Sequence, residues 1–254
     1  MSFIDLGGYS AATLTFVAIA ATVAGLARGF SGFGAALIFV PLASTAIGPT
    51  TAAALLLIVD IVMASPLLPR AWTIADRRNV GRMLIGTLIG VPAGTLVLTR
   101  ADPIAIRWMI AALVLAMLAL LMSGWRYHGR PAAPVDAGVG LVAGFFSGIA
   151  QVGGPPVVAY WLGTTKEPDL VRANIVVYFA ASALITCVSY VVAGLLTTKV
   201  LGLALLIGPA YGLGLWAGSH SFGLASAATF RWICYALIAL AGLFSLPVLD
   251  GVIR

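Results

Sequence analysis

Ten apolar runs follow one another almost without pause, at about residues 10–28, 34–47, 51–69, 80–99, 104–124, 136–150, 154–163, 171–194, 199–218 and 229–247. About 20 apolar residues in a helix cross a hydrocarbon core of ~30 Å. Open strands are excluded there, because lipid cannot satisfy their backbone groups. Hydrophobic residues make up 61% of the chain and charged residues 9%, where a soluble domain carries roughly a quarter charged. The chain therefore reads as an all-α polytopic membrane protein with about 8–10 transmembrane segments. Within 254 residues the spans leave no room for a nucleotide-binding module, which excludes transport driven by ATP hydrolysis in this chain.

The runs at 34–47, 136–150 and 154–163 are too short to span at 1.5 Å per residue and read as half-helices meeting at glycine-rich breaks. Those breaks recur. A shift of 119 residues places Gly25 on Gly144, Gly29 on Gly148, Gly34 on Gly153 and Pro49 on Pro168. Gly86 and Gly90 fall on Gly208 and Gly212, and Arg107-Trp108 on Arg231-Trp232, at slightly larger shifts. Residues 1–128 and 129–254 thus read as a first and a second transmembrane repeat of five runs each. An odd number of runs inverts the second repeat. With the N-terminus outside, inner loops hold Arg70, Arg77, Arg78, Arg82, Arg126, Arg130, Lys166, Arg172 and Arg231, and the outer side holds Arg100, Arg107, Lys199 and Arg254. That asymmetry, nine against four, follows the positive-inside rule. Reading each broken pair as one span instead makes the repeats parallel, with the N-terminus inside and a balance of eight against five.

Inverted repeats with broken helices in matching positions point to a ligand site near the bilayer midplane. Half-helix N-termini offer unpaired N–H groups and a partial positive charge, which suit an anion. The bland account is that the glycines let helices pack closely. It fits Gly25, Gly29, Gly144 and Gly148. It fits Gly153-Gly154-Pro155-Pro156 less well, because two prolines would disrupt a continuous helix. Candidate anion contacts in the first break are Arg28, Ser31, Gly32, Phe33 and Gly34, and in the second Gln151, Val152, Gly153 and Gly154.

Arg28 precedes the first break and reads as the one cation outside a recognisable loop, either a functional charge or a snorkelling side chain. Asp60, in "LLLIVDIVMAS", reads as the one acid deep in a span. It is either a proton-coupling carboxylate or a structural partner of an arginine such as Arg28. Arg172, Asn174, Tyr178, Ser182, Thr186 and Ser189 form a polar stripe at near-helical spacing. The stripe lines a pathway or supplies interhelical hydrogen bonds. Arg172, Asn174 and Tyr178 join the substrate-binding candidates. His128 and His220 stand alone in loops, and Cys187 and Cys234 lie in apolar runs, so no metal site, disulfide or cofactor is expected. No catalytic nucleophile with its base appears, so the protein is not expected to be an enzyme. No Lys or Arg precedes the first span, unlike a cleaved secretory signal.

"GFSGFGAALIFVPL" and "GFFSGIAQVGGPPVVAYW" resemble the first and second repeat motifs of the TauE/SafE family, the sulfite exporter or toluene sulfonate uptake permease family. The resemblance covers essentially the whole chain. Ala35 and Ala36 depart from it where glycine usually continues the first motif, and Tyr160 departs where a proline often follows in the second. The resemblance implies a multi-pass secondary transporter of the bacterial inner membrane, exporting small sulfur-containing anions such as sulfite or organosulfonates. The anion would bind between the two broken-helix elements. A passive anion channel, or a carrier of a small carboxylate, is the alternative. Expected partners are the small anion and the lipid bilayer, with no nucleic acid. Coupling protons and a homodimer are left open.

Overall fold

The computed structural model describes residues 8–31, 34–129, 131–164, 167–220 and 227–249. Among these residues the chain is all-helical: α1 (Ala11–Ser31), α2 (Ala35–Ile47), α3 (Pro49–Ala64), α4 (Leu68–Ile74), α5 (Arg77–Arg100), α6 (Pro103–Ser123), α7 (Ala133–Ala150), α8 (Gly154–Thr164), α9 (Pro168–Val192), α10 (Thr198–His220) and α11 (Ala227–Phe244). Seven helical runs among the described residues are long and apolar enough to cross a membrane. The protein is a multi-pass membrane protein of the expected fold class.

Two runs differ from the sequence expectation, and proline explains both. The run at 51–69 does not continue as one helix. α3 stops at Ala64, a 3₁₀ turn covers Ser65–Leu67, and α4 follows, because Pro66 and Pro69 lack the N–H an α-helix needs and crowd the preceding turn. α7 begins at Ala133 rather than 136 and reaches 18 residues. Pro134 sits in its first turn, where a missing N–H costs nothing. α7 is therefore long enough to span, and only its partner α8, with 11 residues, stays short. α2, with 13 residues, is short as expected.

The helices group into two compact units. One holds residues 1–59, 101–118 and 194–254, the other 60–100 and 119–193. Each unit takes segments from both of the expected repeats. In the first unit α1 packs on α10 and α2, and α2 packs on α11. In the second, α5 packs on α7 and α9, α4 on α9, and α7 on α8.

Both units are built around a seam of glycine. A Cβ added at Gly86, Gly90 or Gly94 of α5 would run into the α7 backbone at Ala137, Leu141 and Phe145. One added at Gly140 or Gly148 would run into α5 at Met83 and Val91. In the first unit Gly25 and Gly29 meet the α10 backbone at Tyr211 and Leu215, while Gly214 and Gly218 meet α1 at Thr22 and Leu26. Lipid gives helices no hydrophobic reason to associate, so close backbone approach supplies the dispersion contact instead. The packing account of Gly25, Gly29, Gly144 and Gly148 holds.

Candidate functional site

The second break is defined by its backbone. α7 ends at Ala150, and its cap residue Gln151 has φ 61 and ψ 19, a left-handed conformation that stops the helix. Its N–H donates back to the carbonyls of Phe146 and Ser147. Gln151 is the one non-glycine residue with positive φ among the described residues. A side chain in that region costs of order 1 kcal/mol, so neighbouring structure must hold it. Tyr190 of α9 contributes. Its hydroxyl donates to the Gly148 carbonyl at 2.9 Å and accepts from the Gln151 amide at 3.5 Å.

Val152 and Gly153 are buried and Gln151 and Gly154 half-buried. A Cβ at Gly153 would strike the Ser147 hydroxyl and the Ala143 carbonyl. Close packing on α7 therefore requires this glycine whatever else it does. Pro155 and Pro156 fall in the first turn of α8, where proline is tolerated. They also remove two of the N–H groups that a helix start leaves without internal acceptors. Gly153 and Gly154 keep theirs.

Along α9 the buried polar positions are Asn174, Ser182 and Thr186, with Tyr178 and Tyr190 fully enclosed in the same register. Asn174 accepts from the Asp76 N–H through Oδ1 at 2.8 Å. The Tyr178 hydroxyl lies 2.9 Å from that of Thr87, which also bonds the Gly140 carbonyl at 3.2 Å. Thr186 bonds the Ser182 carbonyl within its own helix. At Asn174 and Tyr178 the stripe thus supplies hydrogen bonds to other segments, the bland alternative of the sequence reading, and Tyr190 beside it does the same. Arg172 is exposed and does not join Asn174 and Tyr178 in the interior.

In the first unit, Arg28 is half-buried in the last turn of α1. A cation there complements the carbonyl end of the helix dipole. Gly34 caps α2 with φ 97 and ψ −6, left-handed backbone that glycine adopts without strain. Gly32 and Phe33 lie outside the described residues, as does the side chain of Ser31. Asp60 is half-buried on α3, in the second unit.

One reading from sequence needs correction: Arg28 is not the one cation outside a loop. Asp60 stands deep within a helical run, and a second acid, at a helix start, is the more enclosed of the two. Asp136, in the first turn of α7, is 0% exposed. The Tyr160 hydroxyl donates to its Oδ1, and Arg82 Nη1 of α5 stands 3.8 Å from its Oδ2. Arg107, counted from sequence among the outer-side charges, is buried in α6 and donates through Nη2 to the Ser245 carbonyl at 3.2 Å. Both residues fall within the apolar runs at 104–124 and 136–150, so their place in a helix was legible; the direction each side chain faces was not. Tyr160, which departs from the expected motif, is the residue that holds Asp136.

Neither a curated protein nor a solved structure matches this chain. The family model described as Sulfite exporter TauE/SafE does, over residues 17–245. That stretch starts in the second turn of α1 and passes through both breaks, the α5–α7 seam and the whole of α11. By that match the chain belongs to the sulfite exporter TauE/SafE family.

Proposed function

We propose that the protein is a secondary carrier exporting sulfite or a small organosulfonate across a bacterial inner membrane. Family membership implies membrane transport of sulfur anions such as sulfite, and direction, cargo and site are the proposal. The observation that carries it is the start of α2. There the chain turns through left-handed Gly34 into a short helix whose first N–H groups, on Ala35 and Ala36, have no acceptor within the helix. Arg28 lies in the last turn of the preceding helix of the same unit. N–H groups at a helix start and a guanidinium are both suited to an oxyanion.

For the second unit, Gln151 with the N–H groups of Gly153 and Gly154 is the corresponding anion contact. Asp60 is the carboxylate through which transport couples to protons. The parallel order of short and long helices in residues 1–128 and 129–254 supports reading them as inverted repeats. The test is sulfite binding to purified protein, with counterflow in proteoliposomes. Arg28→Ala is expected to abolish binding while the protein stays folded. Undiminished sulfite affinity in Arg28→Ala would sink the assignment, and resolvable single-channel currents would replace the carrier by a channel.

A further inference from the structure

Asp136 belongs to no part of that scheme, yet it is the most enclosed carboxylate among the described residues, at 0% exposure. Its two oxygens differ. Oδ1 accepts from Tyr160 of α8. Oδ2 is buried and accepts no hydrogen bond from the described protein. The one charge facing it from α5 is Arg82, at 3.8 Å and 32% exposed, too distant for a hydrogen bond. Asn79, also on α5, accepts from the Trp161 indole at 2.6 Å and reaches the Tyr160 hydroxyl. The Tyr127 ring stacks on Tyr160 at 5.2 Å. From α9, Tyr178 joins this network edge-on to Trp161 at 5.8 Å and bonds the Thr87 hydroxyl.

A buried carboxylate with a single, half-solvated cation has two stable conditions. With Arg82 close, the ion pair holds the charge. With Arg82 withdrawn into water, a bare charge in the interior is costly, and the group takes up a proton instead. We propose that Asp136 is a proton-binding site of the transport cycle: a proton from water bonds to Oδ2 as Arg82 moves away, and returns to water as Arg82 comes back. Tyr160 keeps the carboxyl oriented in both conditions by donating to Oδ1. The inference rests on the carrier reading, and it adds a second carboxylate to Asp60.

The experiment pairs infrared difference spectroscopy between acid and neutral pH with flux in proteoliposomes, on the full chain and on Asp136→Asn, Asp60→Asn and Arg82→Gln. The wild type is expected to show the carbonyl band of a protonated carboxylic acid at acid pH. Asp136→Asn should lose that band, keep sulfite counterflow and lose accumulation driven by a pH gradient. Asp60→Asn should keep the Asp136 band. Arg82→Gln removes the one cation facing Asp136, so it too should weaken accumulation driven by a pH gradient while sulfite counterflow persists. A purely structural ion pair would lower the stability of Asp136→Asn and Arg82→Gln and leave gradient-driven accumulation intact. A band unchanged in Asp136→Asn, or full gradient-driven accumulation in that variant, would overturn the inference. If the wild type shows the band but no sulfite counterflow, the carrier reading fails while the proton site stands.

Discussion

The starts of α2 and α8 occupy matching places in the two expected repeats, and they are built differently. α2 opens through Gly34 at φ 97 into Ala35, Ala36 and Leu37, so its first turn keeps its N–H groups. α8 opens through buried Gly153 into Gly154, Pro155 and Pro156, so two donors are gone. In exchange α8 gains stiffness. Proline fixes φ, Gly153 is wedged against Ala143 and Ser147, and Tyr190 clamps the Gly148 carbonyl. The first start is organised to offer hydrogen bonds, the second to hold a shape. Equivalent positions in a repeat therefore need not share a task.

Six substitutions break or sharpen that contrast. The largest effect is expected for Gly153→Ala, which forces a methyl group onto backbone and hydroxyl. It should cost several kcal/mol, as overpacking of a tight core does, whereas Gly34→Ala should cost only about 1–2 kcal/mol of left-handed strain. Thermal unfolding in detergent ranks the two, and equal losses would mean that α8 is no stiffer than α2. Next comes an exchange of donors. Ala36→Pro copies the place of Pro155 and, on the proposed site, takes away one hydrogen bond to the anion, a charge-assisted kind worth about 1.5–3 kcal/mol. Sulfite affinity should fall about tenfold or more, since 1.4 kcal/mol is a factor of ten. Pro155→Ala should leave affinity within a fewfold. The reverse pattern in a sulfite titration would move the main anion contact to α8.

Smaller still is Gln151→Gly. Glycine relieves the left-handed strain, of order 1 kcal/mol, and loses only the 3.5 Å contact with Tyr190. Melting temperature should rise slightly while sulfite affinity falls. Unchanged affinity would leave Gln151 a cap alone. The smallest effect is expected from Tyr190→Phe. Loss of one interhelical hydrogen bond in a membrane protein costs about 0.6 kcal/mol on average, a shift read most sensitively by comparing unfolding midpoints side by side.

Much of this was legible in the chain before any coordinates. Apolar length and Gly-Pro punctuation place most helices within a few residues, because lipid enforces both. The interruption between α7 and α8 at 151–153 is likewise written in glycine. What sequence hides is direction. Nothing in "APVDAGVG" says that Asp136 points inward to Tyr160 rather than out to water, since the first turn of a helix accepts an acid on any face. Arg107 hides for the same reason, one turn inside α6. Gly153 is legible as a special position but not for its reason, because the carbonyl that excludes a side chain belongs to Ala143, on the preceding helix. Asn174 and Tyr178 show as polar, while their partners, Asp76 and Thr87, lie about a hundred residues away in the chain.

The glycine seam between α5 and α7 has a mechanical meaning. With three glycines from each helix set into the other's backbone, neither helix can roll about its axis or slide along it without collision. The two act as one beam. Bending such a beam would part its backbones and leave a void, whereas tilting it whole costs only the joints at its ends. Shape change in this unit is thereby pushed to hinges such as Ala75–Asp76, where α4 gives way to α5, and a bulkier residue anywhere on the seam would loosen the lever rather than jam the hinge.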